Sequence, residues 1–567
     1  MIKKVTILFT LVIALIIPLT YAASGSTIGT SQSLPELPDR PAAVSGLSGP
    51  YRNMMAAAVS PCDVDFNHDG VVDVGDIMRV AGCWRSAEPA DIALYDLNDD
   101  GRIDVVDIML VVVQWGNHCP ILFAVDLGGQ DTNLTRRNLA AAAGFRLFRT
   151  SVSWASIEPY PPVDGIHTYH WPDSTFNIYR NDRRLIPYVI VMGDFGDDPW
   201  WFAEKACGPI YSSRLDDFGE FVYQLVSRYA DVTPFWVFYN EEDQLTTVPN
   251  DAGGCWGGHG AEYAQMLAVA WDAAHGADPD AQVIFGAPAY EPLWSSGWPV
   301  WDWFFFRDAF EYMRDHPDDY VGIIAVNQYN FRRDDWDGSS STLPANQEII
   351  AKFRHAVSDS SFNPNTRGAY SVHKWQTEYG LNKPMASGEV GLQVSSGPAG
   401  GNVPLWEELQ ARQAVHVNVR GMAAGLKIIC WYTLVDKGGD ELNYGLLRSA
   451  SESDTRPAYA AYQVLTDQLD AYEFDQQLDV GNDEIQAYRF DKGGVKKLVL
   501  WRDNGEKLKE QSPTATETMT VRAAELGTWT GRVRVTNKLG NVNTYGSLGA
   551  TSVSLTFSSD PIYVEAY

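Results

Sequence analysis

The chain has 567 residues, enough for more than one domain, since a single α/β barrel uses roughly 250. Its 72 Asp and Glu against 43 Lys and Arg leave a formal charge of −29, which argues against nucleic acid or an anionic membrane as partner, because phosphate neutralisation needs clustered Lys and Arg. None of the six cysteines stands in a zinc-type CxxC spacing.

In chain order, Lys3 and Lys4, an apolar run from Val5 to Leu19 and then Thr20-Tyr21-Ala22 read as a secretory signal peptide over 1–23, cut near Ala22 or Ala23. The apolar run is shorter than the roughly 20 residues that a spanning helix needs, which weighs against a membrane anchor. Residues 24–60 are rich in Ser, Pro, Gly and Ala without periodicity, the composition of a linker. The mature protein is expected to be secreted.

An internal repeat follows within 61–119. Asp65, Asn67, Asp69, Asp73 and Asp76 occupy positions 1, 3, 5, 9 and 12 of a loop with Gly70 at position 6, and Asp96, Asn98, Asp100, Asp104 and Asp107 repeat the pattern around Gly101. Val71 and Arg102, at position 7, would each offer a backbone carbonyl. Hard oxygen donors at this spacing, with a sharp turn at the glycine, suit calcium, and about two structural ions are expected. Apolar residues at Ile77, Met78 and Val80, and at Ile108, Met109, Val112 and Val113, predict one helix after each loop. Position 12 is Asp in both copies rather than the Glu of the usual calcium-loop helix pair. The repeat resembles the dockerin module of plant-cell-wall-degrading systems, which implies a cohesin-type scaffold partner. Dockerins commonly carry Ser or Thr at positions 10 and 11, where this chain has Val74-Gly75 and Val105-Val106.

Over 120–470, strand-like runs alternate with helical patterns. The runs are Leu122 to Leu127, Phe145 to Ser151, Leu185 to Met192, Phe235 to Tyr239, Val283 to Ala287, Gly322 to Val326, Met385 to Glu389 and Leu426 to Tyr432. Such alternation predicts an α/β fold, a (β/α)8 TIM barrel. After Ser213, the spacing of Phe218, Phe221, Val222, Leu225, Val226 and Tyr229 gives a helix one apolar face. The last helix is expected at Pro457 to Leu469. Across 471–567 short alternating strands and Gly/Asn-rich turns predict a β-sandwich.

Two strands of the barrel end in carboxylates. Phe235-Trp236-Val237-Phe238-Tyr239-Asn240-Glu241 is a buried-type strand that stops at an amide and an acid, and Met385-Ala386-Ser387-Gly388-Glu389 repeats the design. Strand C-terminal ends are where barrel enzymes place their chemistry, so two such acids imply paired acid/base work. With Arg149 on the second strand, Val152-Ser153-Trp154-Ala155-Ser156-Ile157-Glu158-Pro159 after it, Tyr329, Trp431 and Asn443-Tyr444-Gly445-Leu446, the barrel resembles the clan A retaining glycoside hydrolases, nearest to families 39 and 5.

That resemblance implies Glu241 as general acid/base, Glu389 as nucleophile, Asn240 as partner of the sugar 2-hydroxyl, Arg149 and Tyr329 as groups that hold Glu389, and Trp431 as a sugar platform. It also implies catalysis without a cofactor on a carbohydrate substrate. Asn327 stands where these enzymes often have His. Glu378, in Thr377-Glu378-Tyr379-Gly380, mimics a strand-end acid but falls in a helix-to-strand context. Glu242 is expected to face loop solvent, and Glu158 and Glu291 to lie at the rim surface. The pairings Cys207–Cys255 and Cys62–Cys119 are expected, with Cys430 free. Two other readings stay open: a non-catalytic carbohydrate-binding or scaffold barrel, and a transglycosylase using the same residues.

Overall fold

The computed structural model describes residues 64–66, 70–98, 100–117, 119, 122–182, 184–194, 200–205, 207–244, 255–289, 294–295, 298–299, 302, 305–316, 319–328, 376, 379–394, 403–437, 443–503 and 514–567. The expected signal peptide and linker, and Cys62, Asn67, Asp69, Glu291, Tyr329 and Glu378, lie outside them.

Eight parallel strands close a barrel in sequential order: β1 Leu122–Asp126, β2 Leu147–Ser153, β3 Ile186–Met192, β4 Phe235–Asn240, β5 Gln282–Ala287, β6 Ile323–Gln328, β7 Met385–Val390 and β8 Leu426–Trp431. All eight predicted strands are present, shifted by a residue or two at their ends. Sequence runs such as Phe-Trp-Val-Phe-Tyr in β4 form strands buried on both faces, because helices cover the outside while side chains fill the inside. The helix predicted after Ser213 spans Leu215–Tyr229 with all six stripe residues buried. The predicted last helix spans Pro457–Leu469, with proline in its first turn, where no N–H is missed.

Before the barrel, helices α1 Val74–Gly82 and α3 Val105–Val113 follow the two loops, and a short helix, α2 Pro89–Tyr95, which the sequence did not disclose, lies between them. Their apolar faces make a separate small core of Val72, Ile77, Val80, Ile103, Ile108 and Val111. Since β1 opens at Leu122, directly after this module, the module joins the barrel at the N-terminal ends of the strands. Arg79 pairs there with Asp280.

After the barrel comes a β-sandwich. Its larger antiparallel sheet has six strands in the order Glu473–Gln477, Ile485–Lys492, Val495–Arg502, Ile562–Ala566, Arg532–Asn537 and Val542–Gly546, and the smaller pairs Glu517–Arg522 with Ser552–Phe557. Alternating residues such as Val553, Leu555 and Phe557 point into its own core.

Candidate active site

At the C-terminal end of β4 the backbone departs from strand geometry. Tyr239 has φ +67° and Glu241 φ +50°, left-handed values that cost a side-chain-bearing residue on the order of 1 kcal/mol or more each. The consequence is functional geometry. In a regular strand Asn240 and Glu241 would face opposite sides, yet the Asn327 amide Nδ2 donates to both, 3.4 Å from Asn240 Oδ1 and 3.2 Å from Glu241 Oε1. Tyr239 turns outward into a cluster with Trp256 and Tyr263.

A second irregularity presents Glu389. Val326 pairs with Ser387 but Asn327 pairs with Glu389, so Gly388 is an extra residue in β7, a bulge. A Cβ on Gly388 would stand 2.4 Å from Ala287 Cβ and 2.7 Å from Asn327 Oδ1, so only glycine fits. Glu389 is 6 % exposed, and its Oε1 lies 2.6 Å from Arg149 Nη1. Arg149 Nη2 donates to Asn240 Oδ1 at 2.7 Å. One network therefore runs Glu389–Arg149–Asn240–Asn327–Glu241 across the strand ends. Two donors on Asn240 Oδ1 fix that atom as the carbonyl oxygen and leave the Nδ2 end as the donor end.

Three residues that the sequence reading missed extend this network. Asp126 ends β1 in register with Arg149 and lies 3.6 Å from its Nη1; Lys437 Nζ donates to Asp126 Oδ2 at 3.4 Å and lies 4.4 Å from the Tyr432 ring centroid. A strand-end Asp was the available signal in β1.

Several expectations are corrected. Trp431 is fully buried and packs edge-on against Tyr462 of the last helix, so it points out of the barrel and is no sugar platform. Strand alternation explains this: Cys430 faces the interior, where Arg149, Asp126 and Glu389 act on it electrostatically, so Trp431 faces outward and the half-buried Tyr432 faces inward. Glu158 is not on the rim surface. It is fully buried, accepting from Trp154 Nε1 at 2.9 Å and facing His167 Nδ1 at 2.7 Å. Burial lifts its carboxyl above the usual range. Glu242 does not face solvent but is fully buried, as is Asp243. Trp154 and Trp256 are likewise fully buried core residues.

Cys207 and Cys255 form the expected disulfide, with 4.7 Å between Cα atoms, tying the loops after β3 and β4. Cys119 is disulfide-bonded, and Cys430 is a buried thiol outside any disulfide, its ionisation suppressed by burial.

The repeat's loops fit calcium in backbone shape and donor chemistry. Gly70 and Gly101 have φ +92° and +82°, the sharp turn required at position 6. Asp65 and Asp96 accept from the following Gly70 and Gly101 amides at 3.0 and 2.6 Å, which curls each loop. Asp73 and Asp104 cap the helices. Asp76 accepts from Phe66 N and Asp73 N at 2.6 and 2.8 Å, and Asp107 from Leu97 N and Asp104 N, both at 2.7 Å. The shorter acid at position 12 thus doubles as the capping-box residue, a use that Asp suits by reach. Among the described residues no three acidic groups converge on one point, so the fit rests on the loop fold and the donor set.

Residues 63–114 match the family model of the dockerin type I domain. No curated protein matches the sequence. Among solved structures, a family 39 glycoside hydrolase from the gut symbiont Bacteroides cellulosilyticus is similar at TM-score 0.53 and 16% identity, over 79% of this chain and 81% of that one. A monomeric β-xylosidase from Caulobacter crescentus gives TM-score 0.49 and 15% identity over 79% and 96%. A family 30 endoxylanase from Clostridium papyrosolvens gives 0.49 and 9% over 80% and 97%. The chain thus joins a repeat that matches the dockerin type I domain to a closed eight-stranded barrel and sandwich with the fold of a family 39 glycoside hydrolase.

Proposed function

We propose that the protein is a secreted retaining glycoside hydrolase that cleaves β-glycosidic bonds of polysaccharides or oligosaccharides. The observation that carries this reading is the single network that joins Glu389 to Glu241 through Arg149, Asn240 and Asn327. A barrel retired to binding would have no use for two strand-end acids wired together.

In this reading Glu389 attacks the anomeric carbon while Glu241 protonates the departing oxygen. Water activated by Glu241 then hydrolyses the glycosyl-enzyme. Arg149, with its Nη1 2.6 Å from Glu389 Oε1, pairs with the carboxylate and fixes its orientation. Negative charge on Glu389 in turn helps Glu241 keep its proton in the first step. Asn240, with its carbonyl end held, presents its NH2 to the 2-hydroxyl of the sugar. Asn327 takes the place of a charged partner for Glu241, a neutral donor that orients the acid without pulling off its proton. The inward Tyr432 ring, with Lys437 and Asp126, would line the floor of the sugar site, aromatic face to C–H face.

The units 61–119, 120–470 and 471–567 are taken as calcium module, catalytic barrel and sandwich. In the module, Val74 and Met78 on α1 and Val105 and Met109 on α3 are exposed at equivalent positions of the two copies, which gives a cohesin-type partner an apolar face. The module sits at the opposite end of the barrel from Glu241 and Glu389, so a partner there leaves the cleft open.

The test is a panel of xylan, mannan, glucan, exopolysaccharides and aryl glycosides, with product lengths recorded. Wild type should release reducing ends from at least one. Glu389→Ala should be inactive on all, and azide should yield a glycosyl azide of inverted configuration. Glu241→Ala should keep activity only on aryl glycosides with good leaving groups, with azide speeding turnover and configuration retained. Wild-type levels in both variants would end this reading.

A further inference from the structure

The residue after the proposed acid/base is an acid buried with no cation beside it among the described residues. Glu242 is 0 % exposed, no ion pair to it occurs among the described residues, and neither of its oxygens makes a well-formed hydrogen bond. Its carboxyl lies against β5: a Cβ on Gly286 would stand 2.5 Å from both Glu242 oxygens and 2.4 Å from Phe238 O, so glycine is needed to admit the acid. Among the described residues the titratable groups around it are Tyr263 on the helix Gly260–Ala277, and Asp243 and Glu241 on its own turn. All are acidic or neutral. In sequence, the stretches 245–254 and 290–301 after β4 and β5 contain no Lys or Arg.

Hydrogen-bond capacity settles the form that fits. Tyr263 Oη donates its one proton to Phe238 O at 2.6 Å and accepts from Gly286 N at 2.8 Å. What remains on that hydroxyl is a lone pair, which can meet only a donor. The Glu242 carboxyl borders that hydroxyl, and only a protonated carboxyl has a donor to offer the lone pair. An ionised Glu242 would face a lone pair and the Asp243 carboxylate in a dry pocket, which is prohibitive without a cation. Burial, then Asp243, push its ionisation well above the ordinary carboxylate range, outweighing the smaller opposite effects of its own backbone and of Tyr263.

The turn is tied to the end of β5 and to the chain that follows it. Glu241 N donates to Ala287 O at 3.1 Å, Asp243 Oδ1 accepts from Ala289 N at 2.9 Å, and Asp302 N donates to Asp243 O at 2.7 Å. Glu242 is the side chain that plugs this knot from behind, directly after the left-handed Glu241. We propose that Glu242 is a positioning residue for the acid/base: as the neutral acid it locks the 239–243 turn onto Tyr263 and Gly286 and thereby holds the left-handed backbone that aims Glu241 at the leaving-group oxygen.

The proposal rests on the glycosidase reading. Its test uses the full chain and two substrates of one sugar, an aryl glycoside with a good leaving group and an alkyl or natural glycoside with a poor one. Glu242→Ala should lose about tenfold or more in kcat/KM on the poor leaving group, which needs Glu241 to protonate it, and much less on the good one. Glu242→Gln, a neutral isostere that can still donate, should recover most of that loss and keep both limbs of the pH profile in place. Equal losses on both substrates would reduce Glu242 to a packing role and overturn the proposal. So would an alkaline limb moved to lower pH in Glu242→Gln, because that is the mark of a negative charge removed from beside Glu241. A wild type inert to both substrates would sink the glycosidase reading itself, and this inference with it.

Discussion

A one-residue step separates a core residue from a residue of the proposed sugar site at the end of β8. Trp431 is fully buried against Tyr462, whereas Tyr432 meets Lys437 and, through Asp126, the arginine that holds Glu389. Trp431→Ala should therefore lower stability by about 3–5 kcal/mol in denaturant titration and leave KM nearly unchanged. Tyr432→Ala should do the reverse, raising KM severalfold with little change in stability; an unchanged KM would remove Tyr432 from the sugar site. Trp431 rather than Tyr432 reads as the platform from sequence because a period of two makes any one-residue error in strand phase complete. The placement of Glu241 and Glu389 at strand ends was legible because each closes an apolar run that reads as a buried strand. Glu242 and Glu158 were not legible, because burial of an acid outside a strand depends on tertiary neighbours, here Gly286 with Tyr263 and Trp154 with His167.

Among the elements, the two calcium loops were the most legible, since their chemistry and their turn are both encoded at fixed spacing. The added use of position 12 was not visible, because Asp76 and Asp107 tie back to backbone amides ten residues upstream. Calcium titration of the full chain by calorimetry should show about two sites. Asp76→Ala and Asp107→Ala should each abolish one, and should also lower stability without calcium, by about 1 kcal/mol for the lost cap. Stability without calcium equal to wild type would show that these acids serve the metal alone. Chelation should leave hydrolysis intact, because the module lies at the far end of the barrel.

At the scale of the molecule, the helix Val403–Ala424 joins barrel to sandwich and is buried nearly all round although its sequence is rich in polar residues. Several of its polar groups, though not all, are met by partners from both sides. Gln410 donates to Leu392 O and Gly445 O, Asn418 to Tyr462 Oη, and Arg420 pairs at 2.9 Å with Asp503 of the sandwich, both fully buried. No periodicity in the sequence announces such a helix, since its faces differ in partner rather than in polarity. Asp503→Ala should cost about 3–5 kcal/mol by leaving Arg420 buried and uncompensated. His416, on the same helix and stacked on Trp501 at 4.4 Å, is held well below its ordinary pKa by burial and then by Arg420. Its contribution to stability is therefore full above the unfolded value of about 6.5 and is lost as pH falls below it, because the unfolded chain takes up the proton first. Denaturant titrations should show that decline, and His416→Gln should flatten it; an identical decline in the variant would assign it elsewhere. The central claim is double displacement by Glu389 with Glu241 as its acid/base, and peptide mass spectrometry after inactivation by 2-deoxy-2-fluoro glycosides with activated leaving groups tests it most directly. The account predicts a single glycosylated peptide carrying the sugar on Glu389, with slower labelling in Arg149→Ala. A label on Glu242 or Glu378, or hydrolysis with inversion and no label at all, would contradict it.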